Sequence, residues 1–176
     1  DGAITDGATV IVNSNGTLSE IATSSDSTAV GSPQVFESAN SIFFAATFDS
    51  NANKVVIAYA DDGNSSYGTA IVGTVNASNN TISFGSPEIF ENASTKDIAA
   101  TFDSNSNKVV IVYRDFGNSN YGTAVVGTVS GTDISFGSPV VFESAYASSN
   151  TGLGVTFDSD SNKVVIAYRD QGNSNR

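Results

Sequence analysis

Chemistry in this chain would have to come from carboxylates, tyrosines and side-chain amides, because its 176 residues include no His and no Cys. Without those two there is no imidazole base, thiolate nucleophile, disulfide or zinc site of the usual ligands. The turn DSDSNK sets Asp158, Asp160 and Asn162 in the oxygen-rich pattern of a calcium loop. Calcium takes about six to eight oxygens, and such loops place Gly at their sixth position. Lys163 stands there instead, as Lys54 and Lys108 do in the sister turns, and brings a positive charge to the supposed ion. A plain β-turn is the better reading, and if Ca2+ binds anywhere it binds at this last turn. No other cofactor is expected.

A second pattern, D-x-G-N-S-x-Y, contributes Asp115, Asn118 and Tyr121, with Tyr67 in its sister copy. Tyr stacking on a pyranose, with Asp and Asn reading hydroxyls, would make a repeated sugar-binding rim whose copies add avidity. The structural alternative is that Asp115 and Asp170 hydrogen-bond their own turns. In that alternative Arg114 and Arg169 form local ion pairs with the neighbouring Asp115 and Asp170, and Gly63, Gly117 and Gly172 supply positive φ. A glycosidase needs two facing carboxylates roughly 5–10 Å apart; 18 acids would supply some such pair by chance, but no Arg triad or nucleophilic Tyr–Glu pair can be picked out. Enzymatic activity is not expected. Asn-x-Ser/Thr sequons at Asn15, Asn64, Asn76, Asn79 and Asn92 would accept glycans only on an exported chain.

Charge narrows the partners. A net charge of −11, with only seven Lys and Arg, excludes a nucleic-acid footprint and disfavours an anionic membrane surface. No apolar run approaches the roughly 18 residues of a spanning helix. Short runs of β-branched and aromatic residues, punctuated by Gly, Asn, Asp and Ser, predict an all-β protein.

The elements that would position these turns recur. Thr-Phe-Asp-Ser appears at Phe48, Phe102 and Phe157, Lys-Val-Val-Ile starts at Lys54, Lys108 and Lys163, and Gly-Ser-Pro ends at Pro33, Pro87 and Pro139, a spacing of 52 to 55 residues. That period suits a four-stranded propeller blade and is too long for one coil of a β-solenoid. Strand A covers residues 42–48, 97–102 and 152–157. Strand B is KVVIAY or KVVIVY, apolar on both faces, as a strand between neighbouring sheets would be. Strand C is GTAIVGTV or GTAVVGTV, and strand D is ISFGSP, leading through a short stretch bearing Phe36, Phe90 or Phe142.

In this frame residues 1–33 form an N-terminal half-repeat, 34–87 and 88–139 two repeats, and 140–176 a C-terminal half-repeat, within one domain of 1–176. The phase is CD-ABCD-ABCD-AB, three blades' worth of strands with complementary halves at the two ends. Residues 8–13 and 18–23 are expected to pair with the strand around 163–168, in the same ring or in another copy. Exposed strand edges invite such pairing, and a head-to-tail contact closes into a ring or runs on as a filament. A longer tandem array would carry the same phase.

The consensus TFDSNxNKVVIAYRDxGNSNYGTAVVGTVSGTxISFGSPVVFES resembles tandem repeats of large surface and virion-associated proteins of aquatic bacteria and their phages. The opening DGATVIVNSNGTLSEI is similar to the lead-in segment that often precedes such arrays, although residues 1–30 follow the repeat only loosely. The resemblance covers almost the whole chain and implies an extracellular, cell-surface or particle-surface protein; it supplies no catalytic residues. The D-x-G-N-S-x-Y turn loosely resembles the Asp-box turns of sialidase-type propellers, where the box is structural. The leading expectation is a self-associating structural protein, and the alternative is a lectin-like propeller module.

Overall fold

The computed structural model describes residues 10–12, 18–20, 31–147 and 152–174, all in strands, turns and connections apart from one short 3-10 turn at Asp62–Asn64. The chain divides into two compact units, Asp1–Val30 and Gly31–Arg176. In the first, β1 (Val10–Val12) pairs antiparallel with β2 (Leu18–Glu20).

The second unit repeats one antiparallel meander. β3 (Ser41–Asp49), β4 (Lys54–Asp61), β5 (Tyr67–Asn76) and β6 (Thr81–Phe84) pair in sequence order. β7 (Glu88–Asp103), β8 (Lys108–Asp115), β9 (Tyr121–Ser130) and β10 (Asp133–Phe136) do the same. After β11 (Val140–Tyr146), β12 (Gly154–Asp158) and β13 (Lys163–Ala167) form a last hairpin. Register is kept from copy to copy: Phe48 faces Val55, Phe102 faces Val109 and Phe157 faces Val164. The all-β expectation holds. Among the described residues the ladders stay open, with no closed barrel or ring.

Turn chemistry fixes that register. In each A–B turn an Asp carboxylate accepts from the backbone N–H groups two and three residues on, at 2.9 and 2.8 Å for Asp49 and 2.9 and 3.0 Å for Asp103. The turn then closes through Asn53, Asn107 or Asn162 in the left-handed region, where Asn costs little.

The fourth strand is longer than the sequence suggested. β6 pairs with the distal half of β5, the chain bulges at Gly85-Ser86-Pro87, and the start of β7 resumes pairing with the proximal half. Gly85 N–H still donates to the Val72 carbonyl at 2.9 Å, while Pro87 has no N–H to offer. β7 then continues for 16 residues and becomes the first strand of the next meander. The Phe90 stretch and strand A, separate in the sequence reading, are thus one strand that ties two meanders together.

Each strand presents two faces. Val56, Ala58 and Ala60 of β4 and Ala70 and Val72 of β5 lie on what is termed here the forward face of the first meander. They pack against the rear face of the second: Val109, Ile111 and Tyr113 of β8, Val125 of β9 and Ile134 of β10. β8 is buried along almost its whole length, as a strand covered on both faces must be.

Candidate functional site

The most regular constellation in the molecule joins each repeat to the next. A Phe-Glu dipeptide at the end of one unit closes on the strand-B tyrosine of the following one. The Tyr59 hydroxyl donates to Glu37 Oε2 at 3.2 Å, Tyr113 to Glu91 at 2.9 Å and Tyr168 to Glu143 at 2.9 Å. Beside each hydrogen bond the aromatic rings meet with centroids 5.2 Å apart: Phe36 on Tyr59, Phe90 on Tyr113 and Phe142 on Tyr168. The spare oxygens of Glu37 and Glu143 accept from Ala39 N–H and Ala145 N–H, which aims the carboxylates.

Glycine makes room for the ring. A Cβ on Gly68 would stand 2.4 Å from Phe90, and one on Gly122 would stand 2.6 Å from Phe142. Phe90 therefore rests on β5 of one meander while touching Tyr113 and, at 5.7 Å, Phe136 of the next. Burial, and then the facing Glu, push the Tyr59 and Tyr113 hydroxyls well above the ordinary tyrosine range. Tyr168 rises too, chiefly through its hydrogen bond to Glu143. Burial raises Glu91, with the Tyr113 hydrogen bond opposing it. Glu37, more open, is lowered mainly by the Ala39 N–H. In each pair the tyrosine hydroxyl gives its proton to the glutamate hydrogen bond; Tyr168 also lines an open pocket together with Leu153, Gly154 and Ala167.

The second polar cluster sits in the middle repeat. Arg114, 3% exposed, donates from Nε to Asp97 Oδ2 at 2.8 Å and from one terminal nitrogen to Asn120 Oδ1 and the Tyr146 hydroxyl, both at 2.9 Å. Its guanidinium also stacks 5.0 Å from the Tyr146 ring. The expected ion pair with the adjacent Asp115 is corrected: along a strand neighbouring side chains point to opposite faces, so Arg114 reaches across to β7 instead. Asp97 occupies a bulge at φ 51°, a position filled by Phe43 (φ 52°) in the first repeat and Gly152 (φ 81°) in the last.

The turn residues fall where the sequence placed them, with a change of reason. Asp115 Oδ1 accepts from Asn118 N–H at 3.0 Å, and Asp170 accepts from Asn173 N–H at 3.1 Å. Tyr121 lies across the ladder from Asp115, so Asp115, Asn118 and Tyr121 share one turn, while Tyr67 belongs to the sister turn opposite Asp61. Both tyrosines are half-buried and Asn118 is exposed. Gly63, Gly117 and Gly172 do not supply positive φ; Ser65, Ser66, Ser119, Asn120 and Ser174 do. The glycines are needed because a Cβ would lie 2.3–2.5 Å from Ala39, Ala93 and Ala145 respectively.

Asp158 Oδ1 accepts from Asp160 N–H and Ser161 N–H at 3.0 and 3.3 Å, so its carboxylate is engaged by its own turn. The Ser161 hydroxyl, which donates to Asp158 Oδ2, and then these backbone N–H groups hold Asp158 below the ordinary carboxylate range. Asp160 is exposed and Asn162 provides the left-handed step. Among the described residues no group of three or more Asp and Glu converges as a metal cluster. Asn64, Asn76, Asn79 and Asn92 are exposed; Asn15 lies outside the described residues.

The clasp glutamates and tyrosines were missed by sequence reasoning, yet a signal existed. Phe-Glu recurs at 36–37, 90–91 and 142–143, each ahead of a strand-B Tyr. No family model matches this chain, and no curated protein or solved structure shows significant similarity to it.

Proposed function

We propose that the chain is a non-catalytic structural protein, displayed outside a cell or on a virion, that self-assembles. The observation that carries this is the repeat-to-repeat contact. A forward face meets a rear face, and Phe-Glu of one unit clasps Tyr of the next, so the contact is heterologous and can be continued by any further copy. In this reading the meanders are propeller-like blades in the phase CD-ABCD-ABCD-AB. β13 pairs with β12 alone among the described residues. Its second edge would take residues 8–13 and 18–23 of another copy, as sheet edges take added strands. A net charge of −11 keeps such assemblies dispersed and away from nucleic acid. The surface or virion location rests on the resemblance of the repeat.

Sedimentation velocity across a concentration series tests the reading. Growth from single chains to rings or filaments is expected. A monomer at every concentration would overturn it.

One observation favours a second reading, a carbohydrate-binding module: the half-buried Tyr67 and Tyr121 recur beside exposed turn amides such as Asn118. Glycan-array binding that disappears in Tyr121→Ala would support it, and an array with no reproducible signal would end it.

A further inference from the structure

The two stacking faces are not equally covered along the molecule. On the second meander the rear-face residues Val109 and Ile111 are fully buried, and their strand-A neighbours Ala100 and Phe102 are half-covered. The same positions on the first meander are open: Phe48 is 52% exposed and Ala46 is exposed, with Val55 and Ile57 only half-buried beside them. This opening is confined to strands A and B, since Ile71 on the same face of β5 is buried.

The forward face shows the converse. Val56 and Ala58 on the first meander and Val110 and Val112 on the second are buried. Their counterparts on the last hairpin are open: Val165 is 51% exposed, and Gly154, Thr156 and Ala167 are exposed with it. That hairpin consists of an A strand and a B strand, the two strands over which the rear face of the first meander lies open. Gly154, Thr156, Val165 and Ala167 carry no charge, and neither do Ala46, Phe48, Val55 and Ile57.

We propose that these two surfaces are the two sides of one interface between copies of this chain: the forward face of β12–β13 docks on the β3–β4 rear face of a second copy. The occupant is a second copy because the contact continues one the molecule already makes. The Val56, Ala58, Ala70 and Val72 surface on the Val109 and Ile111 surface is the same pairing one repeat along. This deepens the self-assembly reading and rests on it. The interface has direction. Each copy offers one donor face and one acceptor face, and a copy blocked at one end remains competent at the other.

The test uses the intact chain with Phe48→Asp, Val165→Asp and both together, followed by light scattering and sedimentation. Placing a carboxylate in an apolar contact disfavours it strongly, so each single variant is expected to need at least about tenfold more protein to associate. An equimolar mixture of the two single variants is expected to give a species of two chains, from the intact Phe48 face of one and the intact Val165 face of the other. The double variant should combine with neither itself nor the wild type at those concentrations. Phe48→Leu, which keeps the face apolar, should assemble like wild type, and unchanged far-UV spectra confirm folding throughout. If the aspartate variants assemble as wild type does, or their mixture yields no two-chain species, this interface is wrong while self-assembly stands. If the wild type itself never associates, both readings fall together.

Discussion

Replacing Phe90 with Ala should separate the repeats energetically. Phe90 is 7% exposed, sits over Gly68 and contacts Tyr113 and Phe136 with ring centroids 5.2 and 5.7 Å away. Truncating a buried Phe costs about 3–5 kcal/mol, from lost transfer energy and the cavity left behind. The upper half of that range applies, because the rigid strands around Gly68 and Tyr113 cannot collapse into the space. Phe142 makes the same contact with Tyr168 but is only half-buried. Its truncation is expected to cost about half as much by burial bookkeeping. In an array held by nearest-neighbour contacts, loss of the central one should also split the unfolding transition. Urea titration followed by far-UV circular dichroism reads both effects, and the melting temperature should fall by roughly 8–20 °C. A Phe90→Ala loss below about 1 kcal/mol, or one no greater than that of Phe142→Ala, would refute the idea that this clasp joins the repeats.

Three further expectations follow from the same contacts. Gly68→Ala and Gly117→Ala should each destabilise by about 1–3 kcal/mol in urea titration through collision with Phe90 and Ala93, since neither glycine sits at positive φ. Asp97→Ala should cost about 3–5 kcal/mol, since it strands the buried Arg114. Asp97→Phe combined with Arg114→Ala, the pair the first repeat carries as Phe43 and Ala60, should recover most of that loss. In the alkaline range, the raised pKa values of Tyr59 and Tyr113 mean that stability is intact below the ordinary tyrosine pKa of about 10. It should fall as pH climbs from there toward the folded-state values, because the unfolded chain releases the proton first. Urea midpoints measured from pH 9 to 11 should drop, and Tyr113→Phe should flatten the slope.

The sequence made the strand pattern legible because the copies reinforce one another. Asp-x-Asn-x-Asn-Lys, or Asp-x-Asp-x-Asn-Lys in the last copy, marks each hairpin, and the Val-Val-Ile run between turns admits little besides a strand covered on both faces. The continuity of β7 was hidden, since the sequence showed a short stretch around Phe90 and a separate strand A at 97–102, whereas the fold joins them through register shifts with Asp97 at positive φ. Phe43 in the same conformation had no local signal at all, because a bulky side chain there is disfavoured. The Arg114–Asp97 pair was misassigned for a related reason: proximity in sequence pointed to Asp115, while strand alternation sends the two side chains apart. The glycines of the D-x-G turns were recognisable as necessary, but the cause, a close approach of Ala39, Ala93 or Ala145, lies in packing between segments that only the folded chain brings together.

Electron cryo-microscopy of the assembled material tests the central claim most directly. Sheets are expected to continue across each chain boundary at the roughly 10 Å face-to-face spacing of packed β-sheets. The Val165 surface of one copy should lie on the Phe48 surface of the next. Isolated single chains, or copies related by a two-fold axis that sets like faces together, would contradict it.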